Sequence, residues 1–175
     1  MAEFGANYPC FKGKDATKGV VIGKLVSANL AVNLASGELF ADDDLAEQIS
    51  EFASGSLAME TDDMVDDVAA EIYACTVSNG EVTYNKDDTP PEGELAYYKV
   101  LMRRGVRYYK AYYYPRVRAA IGNDNAQTRG SSITFQTTNT TFTVFTDDNG
   151  NWRKTKTFTE RAAAITYIKT KCAIA

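Results

Sequence analysis

Between Tyr97 and Arg118, seven tyrosines interleave with Lys99, Arg107, Lys110, Arg116 and Arg118. Rings and fixed cations at this density stack and pair charges; they do not make or break bonds. On a sheet, such a set could hold single-stranded nucleic acid, with bases on the rings and phosphates on the cations. It also suits a contact between proteins, where Tyr and Arg concentrate. Strand alternation supplies a third reading with the most weight, in which half of the rings turn into a core. Against nucleic acid stand the missing Gly/aromatic spacing of RNA-recognition strands and a chain that is acidic overall, net −4.

Bond-making chemistry has little to work with. The chain has no histidine, which removes Ser-His and Cys-His dyads and the commonest general base near neutral pH. There is no P-loop and no GxGxxG. Acids are plentiful but lie in solvent-like runs, and no carboxylate pair stands out. Cys10, Cys75 and Cys172 are far apart, form no CxxC, and are expected to be reduced and partly buried. Neither an enzyme, a metal site nor a cofactor is expected. No secretory signal precedes the strand pattern, so synthesis is expected in the cytoplasm, and Asn139-Thr140-Thr141 is then only a polar strand segment. No apolar run approaches the ~20 residues of a membrane span.

Charge is sorted along the chain. Up to Leu95 there are five Lys/Arg and nineteen Asp/Glu, net −14; from Ala96 onward there are fourteen and four, net +10. Unless folding intermixes them, one body carries an acidic and a basic face. Such a body attracts its own copy head to tail, and a repeated head-to-tail contact gives rings or filaments.

The elements that must position these residues are mostly strands. Residues 1–18, punctuated by Gly, Lys and Pro, suggest an N-terminal arm before a single domain over 19–175. Val26, Ala28, Leu30, Val32 and Leu34 alternate with Ser27, Asn29, Ala31 and Asn33, which predicts a half-buried strand. Residues 35–47, holding Asp42-Asp43-Asp44, suggest a long loop, and 49–60 a second strand with Ile49, Ala53, Leu57 and Met59 on one face. Thr61 as cap, Asp62 and Asp63 in a first turn, and an apolar stripe through Met64, Val68, Ile72 and Cys75 predict a helix over 61–74. Hairpins are expected at Asn79-Gly80, at Arg103-Arg104-Gly105 and at Asp148-Asn149-Gly150, with a strand resuming at Ile133 and Phe135. Thr159 caps a short C-terminal helix over 160–171. The tally is about eight strands and two helices: a mainly β fold, an antiparallel sandwich or barrel with flanking helices.

Glu3–Cys10, Ser27–Leu30, Leu34–Asp43, Ser54–Asp63, Leu95–Leu101, Tyr112–Pro115 and Gln127–Phe135 are segments that, in this order, resemble the major tail proteins of long, non-contractile-tailed bacteriophages. No segment is a mechanistic motif; the specificity lies in their joint occurrence. The resemblance implies a virion protein that self-assembles into hexameric rings. The rings stack into a hollow tail tube, which conducts double-stranded DNA into the host without tight binding. It implies assembly in the bacterial cytoplasm around a tape-measure protein, with a tail terminator at one end and tail-tip proteins at the other. No immunoglobulin-like C-terminal domain is expected.

Residue roles follow. The lumen must not pin phosphates, so it should lack dense Lys/Arg. Its candidates are Ser27, Asn29 and Asn33 on one strand and Ser50, Ser54, Ser56 and Glu60 on the next. In relatives a long loop at the place of 35–47 reaches the next ring, which makes Glu38, Asp42, Asp43, Asp44 and Glu47 candidates for ring stacking. Arg103, Arg104, Arg107, Arg116 and Arg118 are expected to meet acids of a neighbouring copy, either among Asp42–Asp44 or among Asp62, Asp63, Asp66 and Asp67.

Overall fold

The structure is a computed structural model describing residues 2–41, 44–122 and 136–175. Asp42, Asp43 and the strand start at Ile133 and Phe135 lie outside the described residues. The strands are β1 (Ala2–Gly13), β2 (Val20–Val21), β3 (Leu25–Ala41), β4 (Asp44–Thr61), β5 (Thr76–Ser78), β6 (Glu81–Thr83), β7 (Glu92–Arg103), β8 (Val106–Ala120), β9 (Thr138–Val144) and β10 (Lys154–Phe158). The helices are α1 (Asp66–Tyr73) and α2 (Arg161–Lys171). Among the described residues strand accounts for 58% and helix for 12%, so the fold is mainly β, a β-sandwich with flanking helices.

One antiparallel sheet runs β2-β1-β7-β8-β9-β4-β3, and β5-β6 form a separate ribbon. The large sheet bends until β1 approaches β3, enclosing a core of Phe11, Leu57, Tyr97, Tyr114, Phe142 and their neighbours. Helix α1 closes this core with Val68, Ala69, Ile72 and Tyr73. A second core lies on the opposite face of β1, β7 and β8, where α2 sets Ala164, Ile168 and Cys172 against Cys10, Tyr98, Ala111 and Tyr113.

The tyrosine-rich hairpin is buried on both faces for this reason. Tyr97, Tyr112 and Tyr114 enter the first core, while Tyr98 and Tyr113 enter the second. Arg104 (φ 49°) and Gly105 (φ 81°) make the tight turn between β7 and β8, as expected of a two-residue hairpin with both central residues at positive φ. Strand β8 then changes partner: Tyr109–Tyr113 pair with β10, and Val117–Ala120 pair with β9. Pro115, with no N–H to donate, sits between the two pairings.

Four expectations are corrected. Ala2–Gly13 is a sheet strand rather than a free arm, with Cys10 and Phe11 fully buried; register shifts near Gly5 and Pro9 break the alternation that would mark it. Residues 35–41 and 44–47 are strand rather than loop, since β3 and β4 stay paired out to Ala41 and Asp44. The helix expected from 61 begins at Asp66: Thr61 ends β4, and Val65 takes the cap position without a side-chain bond. The turn at Asp148–Gly150 joins β9 and β10, but these pair with β8 rather than with each other. Asp147 organises that turn by accepting hydrogen bonds from the backbone N–H groups of Asn149 and Asn151.

Candidate functional site: an exposed hairpin arm and two charged surfaces

Past the bulge at Ala53, β3 and β4 leave the body as a two-stranded arm. From Leu34 to Ala41 it extends about 25 Å at strand rise. Leu34, Leu39, Phe40, Leu45 and Ile49 are all half exposed or more. Scattered surface apolar residues are ordinary, but five concentrated on one arm, spread over its two faces, are of the kind that marks a contact.

The pairing register assigns the arm's faces. Leu34, Glu38, Phe40 and Leu45 continue the side that faces the core lower down. Leu39, Glu47, Ile49 and Glu51 occupy the other. Glu38 accepts a hydrogen bond from Gln48 Nε2 across the pair at 3.2 Å.

Below the arm, the outward face of β3, β4 and β9 is polar and lined with small side chains. Ser27, Asn29, Asn33, Ser54, Ser56 and Glu60 share it with Asn139, Thr141 and Thr143. Asn33 Nδ2 donates to Ser54 Oγ at 3.1 Å, and Ser27 Oγ donates to Glu60 at 3.2 Å. Thr137 Oγ1 also donates to Glu60. Ser50 is the exception among the sequence-chosen residues. It lies opposite Ser36 whereas Ser54 lies opposite Asn33, so the extra residue at Ala53 turns Ser50 to the other face. No lysine or arginine stands on β3, β4 or β9.

The expected contact residues separate into two groups. Arg116 donates from Nε and Nη2 to both carboxylate oxygens of Glu92, at 2.9 and 3.0 Å, and Arg118 adds a third bond at 3.2 Å. The register puts Arg118 directly opposite Glu92, so both arginines are engaged with Glu92 within the chain while their side chains stay 44% and 45% exposed. The Arg116 contact holds the Glu92 carboxyl below its ordinary range, against the opposing effect of burial. Asp62 accepts the Lys24 backbone N–H at 2.7 Å, and Asp63 that of Met64 at 2.7 Å. Both therefore serve the loop before α1, and Gly23 is needed there because a Cβ would come within 2.4 Å of the Asp63 carbonyl. Arg104 and Arg107 at the β7–β8 tip, and Asp66 and Asp67 on α1, are exposed. Arg103 lies over the Tyr108 ring.

A second cationic surface, unnoticed in the sequence, is built by β10 and α2. Lys156 Nζ lies over Phe158 and Tyr167 at 5.3 and 5.7 Å, and Lys171 Nζ over Tyr113 and Tyr167 at 5.2 and 5.7 Å. Lys154 stands opposite Tyr113 on the same side of the strand. Arg153 covers the Trp152 ring at 4.5 Å, and that ring stacks on Phe52 at the root of the arm, 4.6 Å away. The period-two pattern Lys154, Lys156, Phe158 was the available signal.

Bond-making groups are sparse here as well. All three cysteines are buried; burial pushes the Cys172 thiol up to about 12 and the Cys10 thiol higher still, which leaves little thiolate at neutral pH. Among the described residues, no three His, Cys, Asp or Glu side chains are placed to hold a metal, and no helix is long and apolar enough to cross a membrane. Compared with protein-family models the chain matches none, and no curated protein matches it.

Proposed function

We propose that this chain is the structural subunit of a phage tail tube, forming hexameric rings that stack into a hollow cylinder for double-stranded DNA. The observation that carries the reading is the β3–β4 arm: a long paired hairpin, apolar on both faces, that nothing in its own chain covers among the described residues. An arm of this kind is stable in water chiefly as half of a contact, because a two-stranded ribbon alone is marginal. The segments resembling major tail proteins, present in order along the chain, supply the class of assembly.

The polar face of β3, β4 and β9 is the proposed bore. Ser, Asn, Thr and Glu side chains offer a passing duplex nothing that releases its counterions, so the DNA slides. Tape-measure, terminator and tip proteins are the partners this role entails, with the virion tail as its location. The alternative, a nucleic-acid-binding β-domain stacking bases on the 97–118 stretch, is less favoured because Tyr97, Tyr98, Tyr112, Tyr113 and Tyr114 are buried in the two cores.

Electron microscopy of the purified protein at high concentration tests the proposal. Hollow cylinders of uniform diameter are expected. A protein that stays a monomer at every concentration, and binds oligonucleotides in a salt-sensitive way, overturns it.

A further inference from the structure

Two surfaces of this chain are chemical complements and, among the described residues, do not meet within it. Between Lys24 and Lys86 the sequence has no lysine or arginine, so every charge on the arm is negative. One arm face combines apolar Leu39 and Ile49, 57% and 59% exposed, with Glu47 and Glu51. The β10–α2 surface combines the same two characters with the opposite sign. Lys156 and Lys171 lie over aromatic rings, and Lys154 follows the same side of an exposed strand. None of these lysines has a carboxylate within salt-bridge distance among the described residues. Among the described residues, β10 pairs only with β8.

We propose that the Leu39–Glu47–Ile49–Glu51 face of the arm docks on the β10–α2 lysine surface of a second copy of this chain. The proposal rests on the tube-subunit reading and names the two surfaces that join. Apolar side chains of the arm cover the rings and lysine stems, and the glutamates meet the ammonium groups that cation–π contacts alone hold weakly. The contact is head to tail, since donor and acceptor are different patches, so it propagates rather than stopping at a dimer. Trp152 stacks on Phe52 where the arm leaves the body and is the only tryptophan in the chain.

Reciprocal charge reversal tests this. One variant carries Lys154→Glu and Lys156→Glu; the other carries Glu47→Lys and Glu51→Lys. All four residues are exposed, so circular dichroism should match the parent in both. Each variant alone should need a concentration about tenfold or more above the parent's to assemble, measured by sedimentation velocity and microscopy. An equimolar mixture should recover assembly, because each arm then finds a surface of opposite sign. Parental assembly by either variant alone, or a mixture that stays monomeric, overturns the docking while leaving the tube reading intact. A parent that never polymerises overturns both. If the lysine reversal abolishes binding to an oligothymidylate while assembly is unchanged, the surface belongs to nucleic acid and the proposal falls.

Discussion

The sheet has one half covered twice and another covered once. Over β1, β7 and β8 one face carries the curled sheet with α1 and the other carries α2. Over β3, β4 and β9 only the inner face is covered among the described residues; the outer is polar, and past Ala53 the paired strands are exposed on both sides. The sequence composition follows that division. Tyr occupies successive positions where both faces are dry, and Ser, Asn and Thr alternate with Leu and Phe where one face is wet. Folding stability is thus concentrated in one half, and the other half is free to carry contacts whose loss leaves the monomer standing.

Paired substitutions break this comparison with the largest expected effect. Phe11 is fully buried and packs 5.9 Å from the Phe142 ring, joining the two layers. Phe11→Ala should cost about 3–5 kcal/mol in urea unfolding and lower the yield of folded protein. Ile49→Ser on the arm should shift the monomer's unfolding by no more than about 0.5 kcal/mol, yet strongly reduce assembly. If Ile49→Ser destabilised the monomer as much as Phe11→Ala does, the arm would belong to the folding core and the division would be wrong.

The same division decides what the sequence could disclose. The Arg104-Gly105 and Asn79-Gly80 turns were legible because positive φ imposes a residue type locally. The amphipathic stripe of α1 was legible because a helix on one core has one dry side. The tyrosine stretch was half legible: alternation predicts one buried face, and only the placement of α2 shows that the other is buried as well. The arm was illegible as strand because two exposed faces leave no alternation to detect. Ser50 was placed on the wrong face because a bulge at Ala53 inverts parity without any sequence mark. Strand β1 was hidden likewise by its irregular register and by Tyr8 at φ 60°. The engagement of Arg116 and Arg118 with Glu92 was illegible because Glu92 lies more than twenty residues away along the chain.

Acid sharpens the comparison at the boundary between the halves. Glu92 and Arg118 stand where β8 passes from β10 to β9, and the Glu92 carboxyl titrates below its ordinary value of 4.5, mainly through Arg116. A carboxyl lowered on folding contributes its stabilisation fully above the unfolded value. It loses that contribution as the pH falls through the lower, folded value. Glu92→Gln should therefore lower Tm near neutral pH, and its Tm should converge on the parent's as acid protonates Glu92. A constant difference in Tm across the acid range would mean that the three-residue cluster adds shape rather than charge.

The smallest effect concerns Thr61, the last residue of β4. Its side chain is 2% exposed, and its Oγ1 has no hydrogen-bond partner among the described residues. A buried hydroxyl without a partner costs roughly 1–3 kcal/mol of desolvation. Thr61→Val keeps the branched shape that suits a strand and removes the polar atom. It should leave the free energy of unfolding unchanged or raise it by up to about 1 kcal/mol, with no effect on assembly because the site faces the core and not the arm. A loss of stability on Thr61→Val would show that this hydroxyl has a partner, and that the once-covered half holds a polar contact inside its dry face.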